Sequence, residues 1–289
     1  MKNLKGSIIL LITALIWGTA FVAQSVGVEH IPPFTFNGVR NVVGALALLP
    51  VILVMKSINK KKDTTAKGNK KTLLIGGICC GVILAVASTL QQFGLVYTTP
   101  GKAGFLTALY IVFVPIFSIT LKKKVKRSIW ISVLLAIVGM YLLCVKESVT
   151  VNKGDVLVFL CAIAFTLHIM VIDYFSPRVD GVKLSCIQFS TCAFICLICA
   201  LFFDKVALSD LTYAIVPLLY TGIMSSGVAY TLQIIGQKYT NPTLATLIMS
   251  LESVFAALAG WIILGQGMSV SEIAGALLMF VSIIIAQFV

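Results

Sequence analysis

Three ionisable residues deep inside long apolar stretches of this chain could do chemistry: Arg40, His168 and Glu252. A charge at the centre of a bilayer costs about 2.5–3.5 kcal/mol on insertion scales, so such groups usually face a cavity or a partner. Glu252 lies in the middle of its stretch. Two roles suit it: a central site that binds a cationic group or carries a proton, or a structural carboxylate bonded to neighbouring helices. Arg40 sits six residues into its stretch, roughly 9 Å below the outer end at helical rise. It has three options: to snorkel outward, to pair with Glu252, or to bind a substrate carboxylate. His168 shares a helical face with Cys161, Phe165 and Ile172, and the matching face earlier in the chain is Thr13, Trp17, Ala20 and Gln24. It reads either as a hydrogen-bonded structural residue or as a substrate contact.

Uncharged polar side chains fall on faces of the same kind. Tyr230, Gln233 and Gln237 form one, Ser88 and Gln91 another, Thr107 and Tyr110 a third, and Asn37 accompanies Arg40. With Trp17 and Phe165 they offer aromatic and amide groups to a small amphipathic solute. The ring faces also suit a cation. Ordinary helix packing would use the same stripes.

Other chemistries lack their residues. There is no HExxH, no nucleophile–base pair and no GxxxxGK[ST] phosphate loop. Neither a metal, a cofactor nor direct coupling to ATP is expected. Cys196-x-x-Cys199 matches a redox or metal pattern by letters alone, and with no His or carboxylate beside it packing is the simpler reading. The eight cysteines fall in or at the edge of apolar stretches, unlike a secreted disulfide framework.

The elements that carry these residues follow from composition. Of 289 residues, 59% are hydrophobic and 11% charged, against about 25% charged in a soluble domain. Lipid is therefore the solvent for most of the chain. Apolar runs long enough to cross about 30 Å of hydrocarbon fall at 6–27, 34–55, 73–97, 101–121, 128–145, 154–174, 184–203, 212–236, 241–264 and 269–288. The fold expected is all-α, a polytopic membrane protein of ten transmembrane helices. The first run is longer than a signal-peptide core and reads as an uncleaved helix.

The net charge of +12 is concentrated in Lys56–Lys71 and in Lys122–Arg127. Clusters of this kind set membrane orientation, and nucleic acid is not an expected partner. With the N-terminus inside, seventeen Lys and Arg fall on inner segments and four on outer ones. Both termini are then cytoplasmic.

A phrase occurs twice. TLQQFGLVYTTP begins at Thr89 and TLQIIGQKYTNP at Thr231, identical at seven of twelve positions and 142 residues apart. Earlier spans align at an offset of 148, where Lys5-Gly6 meets Lys153-Gly154, Trp17 meets Phe165 and Arg40 meets Gln188. At the offset of 142, Tyr110 meets Glu252. The displacement is five spans, an odd number, so the second copy enters the membrane from the opposite face. That is an inverted repeat, 1–147 and 148–289, of the kind from which many secondary transporters are built. Thr99-Pro100 and Asn241-Pro242 end one helix and start the next, because proline suits a helix's first turn.

WGTAF in the first span, PPFTFNGVR opening the second, and LESVFAALAGWIILGQGMS followed by EIAGALLMF near the end complete the pattern. In their order and spacing these resemble the drug/metabolite transporter superfamily, EamA type, over essentially the whole chain. The resemblance implies a ten-helix carrier of small organic solutes in the cytoplasmic membrane, with exporters of amino acids and other metabolites among its members. Two positions depart from the family pattern. Ser253 stands where proline often follows the glutamate, which predicts a straighter ninth helix. Gln266 stands where an acidic residue often follows LG.

The function expected is a secondary transporter of an amino acid-like or amine-like solute, an exporter by resemblance. It works by alternating access, with proton or cation coupling through Glu252 and membrane lipid around it. A channel, a sensor and an intramembrane enzyme are the competing classes. The candidate substrate-binding residues are Trp17, Asn37, Arg40, Gln91, Thr107, Tyr110, Phe165, His168, Tyr230, Gln233 and Glu252. Oligomeric state has no signal in the sequence.

Overall fold

The computed structural model describes residues 2–61, 69–98, 100–122, 125–144, 152–264 and 269–287. Lys62, Lys67, Thr99, Lys123, Lys124, Lys146 and Gln266 lie outside the described residues. All regular structure among the described residues is helical: α1 (Lys2–Val28), α2 (Pro33–Lys61), α3 (Lys70–Tyr97), α4 (Pro100–Thr107), α5 (Tyr110–Thr120), α6 (Arg127–Cys144), α7 (Lys153–Phe175), α8 (Gly181–Phe203), α9 (Leu208–Tyr213), α10 (Ile215–Tyr220), a π-helical segment (Thr221–Tyr230), α11 (Thr231–Gln237), α12 (Pro242–Met249), α13 (Glu252–Leu264) and α14 (Val270–Gln287). Eight stretches are long and apolar enough to cross a membrane, and Ile129–Leu143 and Val270–Ala286 are shorter apolar helices. Leu201, Phe202 and Val216 point outward, each more than 70% exposed, as lipid-facing side chains do.

Side-chain contacts gather the helix ends at two ends of the bundle. At the end where α1 begins, Lys5 Nζ lies 5.0 Å from the Tyr239 ring and Lys238 Nζ donates to the Val179 carbonyl at 2.9 Å. At the far end, Lys153 Nζ lies 5.9 Å from the Tyr97 ring, and Thr35 donates through both N and Oγ1 to Asp204. Asp155 is the best-connected group there. It closes a capping box with Asn152, accepts from Thr98 Oγ1 at 2.7 Å and pairs with Lys102 Nζ at 2.5 Å. Asn241 caps α12 by accepting from the Leu244 N–H at 2.8 Å, with Pro242 at the first turn.

Close helix crossings use glycine at chosen points. A Cβ on Gly6 would lie 3.0 Å from the Gly236 carbonyl, and one on Gly154 would lie 2.7 Å from the Gly94 carbonyl. Both contacts bring backbones together as small-residue interfaces do in membranes.

Three expected spans are not continuous helices. The fourth breaks at Ala108–Leu109 and the ninth at Ser250–Leu251. The two breaks share one backbone pattern. Leu109 N bonds to Leu106 O and Ile111 N to Ala108 O; Leu251 N bonds to Ile248 O and Ser253 N to Ser250 O. These short i→i+3 bonds replace the α ladder for one turn. The straighter ninth helix expected from Ser253 is therefore not found. Hydroxyls weaken the ladder there instead of proline: Ser250 Oγ donates to Leu247 O and Thr246 Oγ1 to Thr243 O, each at 2.8 Å. The eighth span is divided into α10, the π segment and α11. Gly222, Ser225, Ser226 and Gly227 crowd the wide turn, and Gly222 and Gly227 carry no side chain to hold an α register.

Candidate functional site

A narrow pocket opens in the middle of the bundle. It is lined by Trp17, Phe21 and Gln24 of α1, Arg40 of α2, Gln91 of α3, Thr107 of α4 and Tyr110 of α5. From the second half of the chain come Phe165 and Ile169 of α7, Ser225 and Tyr230 of the π segment, Gln233 of α11, Met249 of α12 and Glu252 of α13. Ten of these fourteen form five pairs at the sequence offsets of 148 and 142: Trp17 with Phe165, Phe21 with Ile169, Gln91 with Gln233, Thr107 with Met249, and Tyr110 with Glu252.

The broken helices position the last pair. Tyr110 is the first residue of α5 and Glu252 the first of α13. Each therefore leads a half-helix that starts inside the bundle, where the positive end of the helix dipole favours negative charge. The two side chains meet. Tyr110 Oη donates to Glu252 Oε1 at 3.0 Å, and both residues are buried.

Arg40 does not pair with Glu252 and does not reach outward. It is 2% exposed, donates from Nη1 to Gln24 Oε1 at 2.8 Å, and lies 6.0 Å from the Phe36 ring. Its Nε has no hydrogen-bond partner among the described residues, nor have Trp17 Nε1 and Gln233 Oε1. The pocket thus holds one guanidinium and one carboxylate, each tied to a neutral neighbour. Gln91 Nε2 donates to Thr107 Oγ1 at 3.2 Å. Trp17 and Tyr230 stand edge to face with centroids 4.7 Å apart.

Nine of the eleven candidate residues line this pocket. Two do not. Asn37 is fully buried beside it with neither amide atom partnered, and His168 turns away to Gln188 at 3.2 Å. Sequence reasoning left out Phe21, Gln24, Ile169, Ser225 and Met249. Phe21 and Gln24 continue the face of Trp17 at i+4 and i+7, and Gln24 was already on its stripe. Ile169 and Met249 are counterparts of Phe21 and Thr107. Ser225 carried no signal, because the π turn moves it off α-helical register. Among the described residues no group of three or more His, Cys, Asp or Glu is placed to hold a metal ion.

The EamA-like transporter family model matches residues 4–145 and again residues 152–288. The chain belongs to that family. It is a multi-pass membrane protein of a transporter family. An uncharacterized transporter of Archaeoglobus fulgidus is 32% identical to this EamA-family chain over 289 residues, covering 99% of it and 87% of the relative. The uncharacterized transporter YoaV of Bacillus subtilis is 25% identical, over 95% and 94% of the two chains. A solved crystal structure superposes with a TM-score of 0.78 at 16% identity, over 98% of this chain and 96% of the other, a likeness of fold.

Proposed function

We propose that this chain is a secondary carrier of a small amino acid-like or amine-like solute. It exchanges two conformations of a ten-crossing bundle built from inverted repeats, 1–147 and 148–289. The observation that carries the reading is the pocket lined by five counterpart pairs, with Tyr110 bonded to Glu252 at its centre. Further support comes from contacts that recur at the same offsets: Lys5 on Tyr239 with Lys153 on Tyr97, Gly6 on Gly236 with Gly154 on Gly94, and the matching breaks in the fourth and ninth spans. The family model's double match agrees with the division.

The same pocket argues for solute chemistry. Arg40 suits a carboxylate and Glu252 an ammonium or a transferable proton, while Trp17, Phe165 and Tyr230 suit an apolar side chain. Export is taken from the family resemblance alone. Location in the cytoplasmic membrane with both termini inside rests on the distribution of Lys and Arg.

Counterflow of labelled amino acids and amines in proteoliposomes is the test. Exchange that saturates and accelerates with solute on the far side is expected. Conductance without counterflow would indicate a channel and overturn the carrier. Glu252→Gln is expected to weaken solute exchange about 10- to 100-fold, the worth of a hydrogen bond to a charged group, and to remove its response to an imposed pH gradient. An unchanged response would end the coupling role.

A further inference from the structure

His168 does not line the pocket, yet it touches two residues that do. Its ring stands 5.9 Å from Tyr230 and 6.4 Å from Phe165, both edge to face. Phe189 backs Tyr230 from α8 at 5.9 Å, and Trp17 meets it from α1 at 4.7 Å. Tyr230 is the last residue of the π segment, where the main chain returns to α geometry. Its ring thus sits at one of the two joints where the π segment meets an α-helix, with no continuous α ladder across it. Something other than its own helix must hold it.

The hydrogen bond that anchors His168 comes from α8. Gln188 Oε1 only accepts, so His168 Nε2 is the donor, at 3.2 Å, and both side chains are fully buried. His168 Nδ1 and Gln188 Nε2 have no partner among the described residues, so this single bond sets the imidazole plane. The first half has no equivalent of this bond, because His168 falls opposite Ala20 at the offset of 148. Arg40 is the counterpart of Gln188 at the offset of 148, and it faces the pocket, whereas Gln188 faces His168.

We infer that the His168–Gln188 bond is a positioning device that holds the Tyr230 wall of the pocket closed against Trp17. His168 touches no solute; it acts through Tyr230 and Phe165. This inference rests on the pocket being the solute site only for its consequence in transport. The geometry itself is testable without a solute.

Trp17 is the reporter. In full-length protein with Trp130→Phe and Trp261→Phe, Trp17 is the sole tryptophan of the original three, and acrylamide quenching of its emission reads how tightly the wall covers it. His168→Ala and Gln188→Ala are each expected to raise the quenching constant about twofold or more, because each leaves a buried polar partner unpaired and loosens the ring it held. The exchanged pair, His168→Gln with Gln188→His, restores the bond with partners reversed and is expected to return the constant to the parent value. Unchanged quenching in the single variants overturns the inference, and so does an exchanged pair no better than either single change. If a single variant fails to fold, the exchanged pair decides alone: parent quenching supports the bridge, and raised quenching or failure to fold overturns it. Loss of counterflow for every solute would end the transport reading while leaving this result standing.

Discussion

Glu252 accepts its hydrogen bond from Tyr110, and the guanidinium of Arg40 goes to Gln24 instead. A carboxyl group and a guanidinium in one pocket that do not pair with each other each keep a face toward the pocket. Tyr110→Phe keeps the ring and removes the donor, so Glu252 Oε1 is left buried without its partner. A loss of about 1–3 kcal/mol of stability is expected, seen as a lower unfolding temperature in the same lipid. A variant as stable as the parent would mean that Glu252 finds another partner. At this scale the sequence was informative about residue type and vague about partner. Helical periodicity gave the right face for Trp17, Phe165 and Gln233. It could not tell which neighbour that face meets, because the period of a helix says nothing of the rotation of the helix against it. His168 shares a stripe with Phe165, yet its ring turns to α8.

The elements were legible in class and only partly in shape. Long apolar runs are read directly from hydropathy, and the second copy of the duplicated phrase ends at the Asn241 cap and Pro242 that open α12. The breaks at Ala108–Leu109 and Ser250–Leu251 were not anticipated, since neither holds glycine or proline; both carry i→i+3 bonds, and among the described residues hydroxyls bond to the ladder at the second alone. The π segment was hidden for a related reason: one extra residue per turn leaves composition unchanged. Crossing distance makes a sharper prediction. A Cβ on Gly18 would lie 2.5 Å from Phe255 Cβ and 2.7 Å from the Glu252 carbonyl. Gly18→Ala therefore pushes α1 away from α13 beside the pocket, at an expected cost of about 1–3 kcal/mol, measurable by thermal unfolding, with slower counterflow. Gly104, with open space around its Cβ, is the control: Gly104→Ala is expected to leave stability within about 1 kcal/mol.

For the molecule as a whole, family and helical class were legible because lipid permits few architectures and because two halves of one chain resemble each other. The orientation expected from Lys and Arg has a direct check. A fluorescent protein that matures only in the cytoplasm is expected to be bright when fused at either terminus, and alkaline phosphatase inactive at both. Activity of the phosphatase at one end would mean an odd number of crossings. A charge bias of this size also predicts that replacing the basic residues of Lys122–Arg127 alone leaves the direction of insertion unchanged, because the lysines of Lys56–Lys71 still outweigh the outer ones.

Among the described residues, one side-chain hydrogen bond joins a residue to its own counterpart. Under an exchange of shapes between the halves, Arg40–Gln24 and His168–Gln188 must each take on a new environment, since each belongs to one half. Tyr110–Glu252 has nowhere else to go: swapping 110 for 252 maps the contact onto itself. On the carrier reading proposed above, the two residues trade places across the repeat axis and stay bonded to each other, so the carboxylate keeps its tyrosine and its place in the pocket in both states.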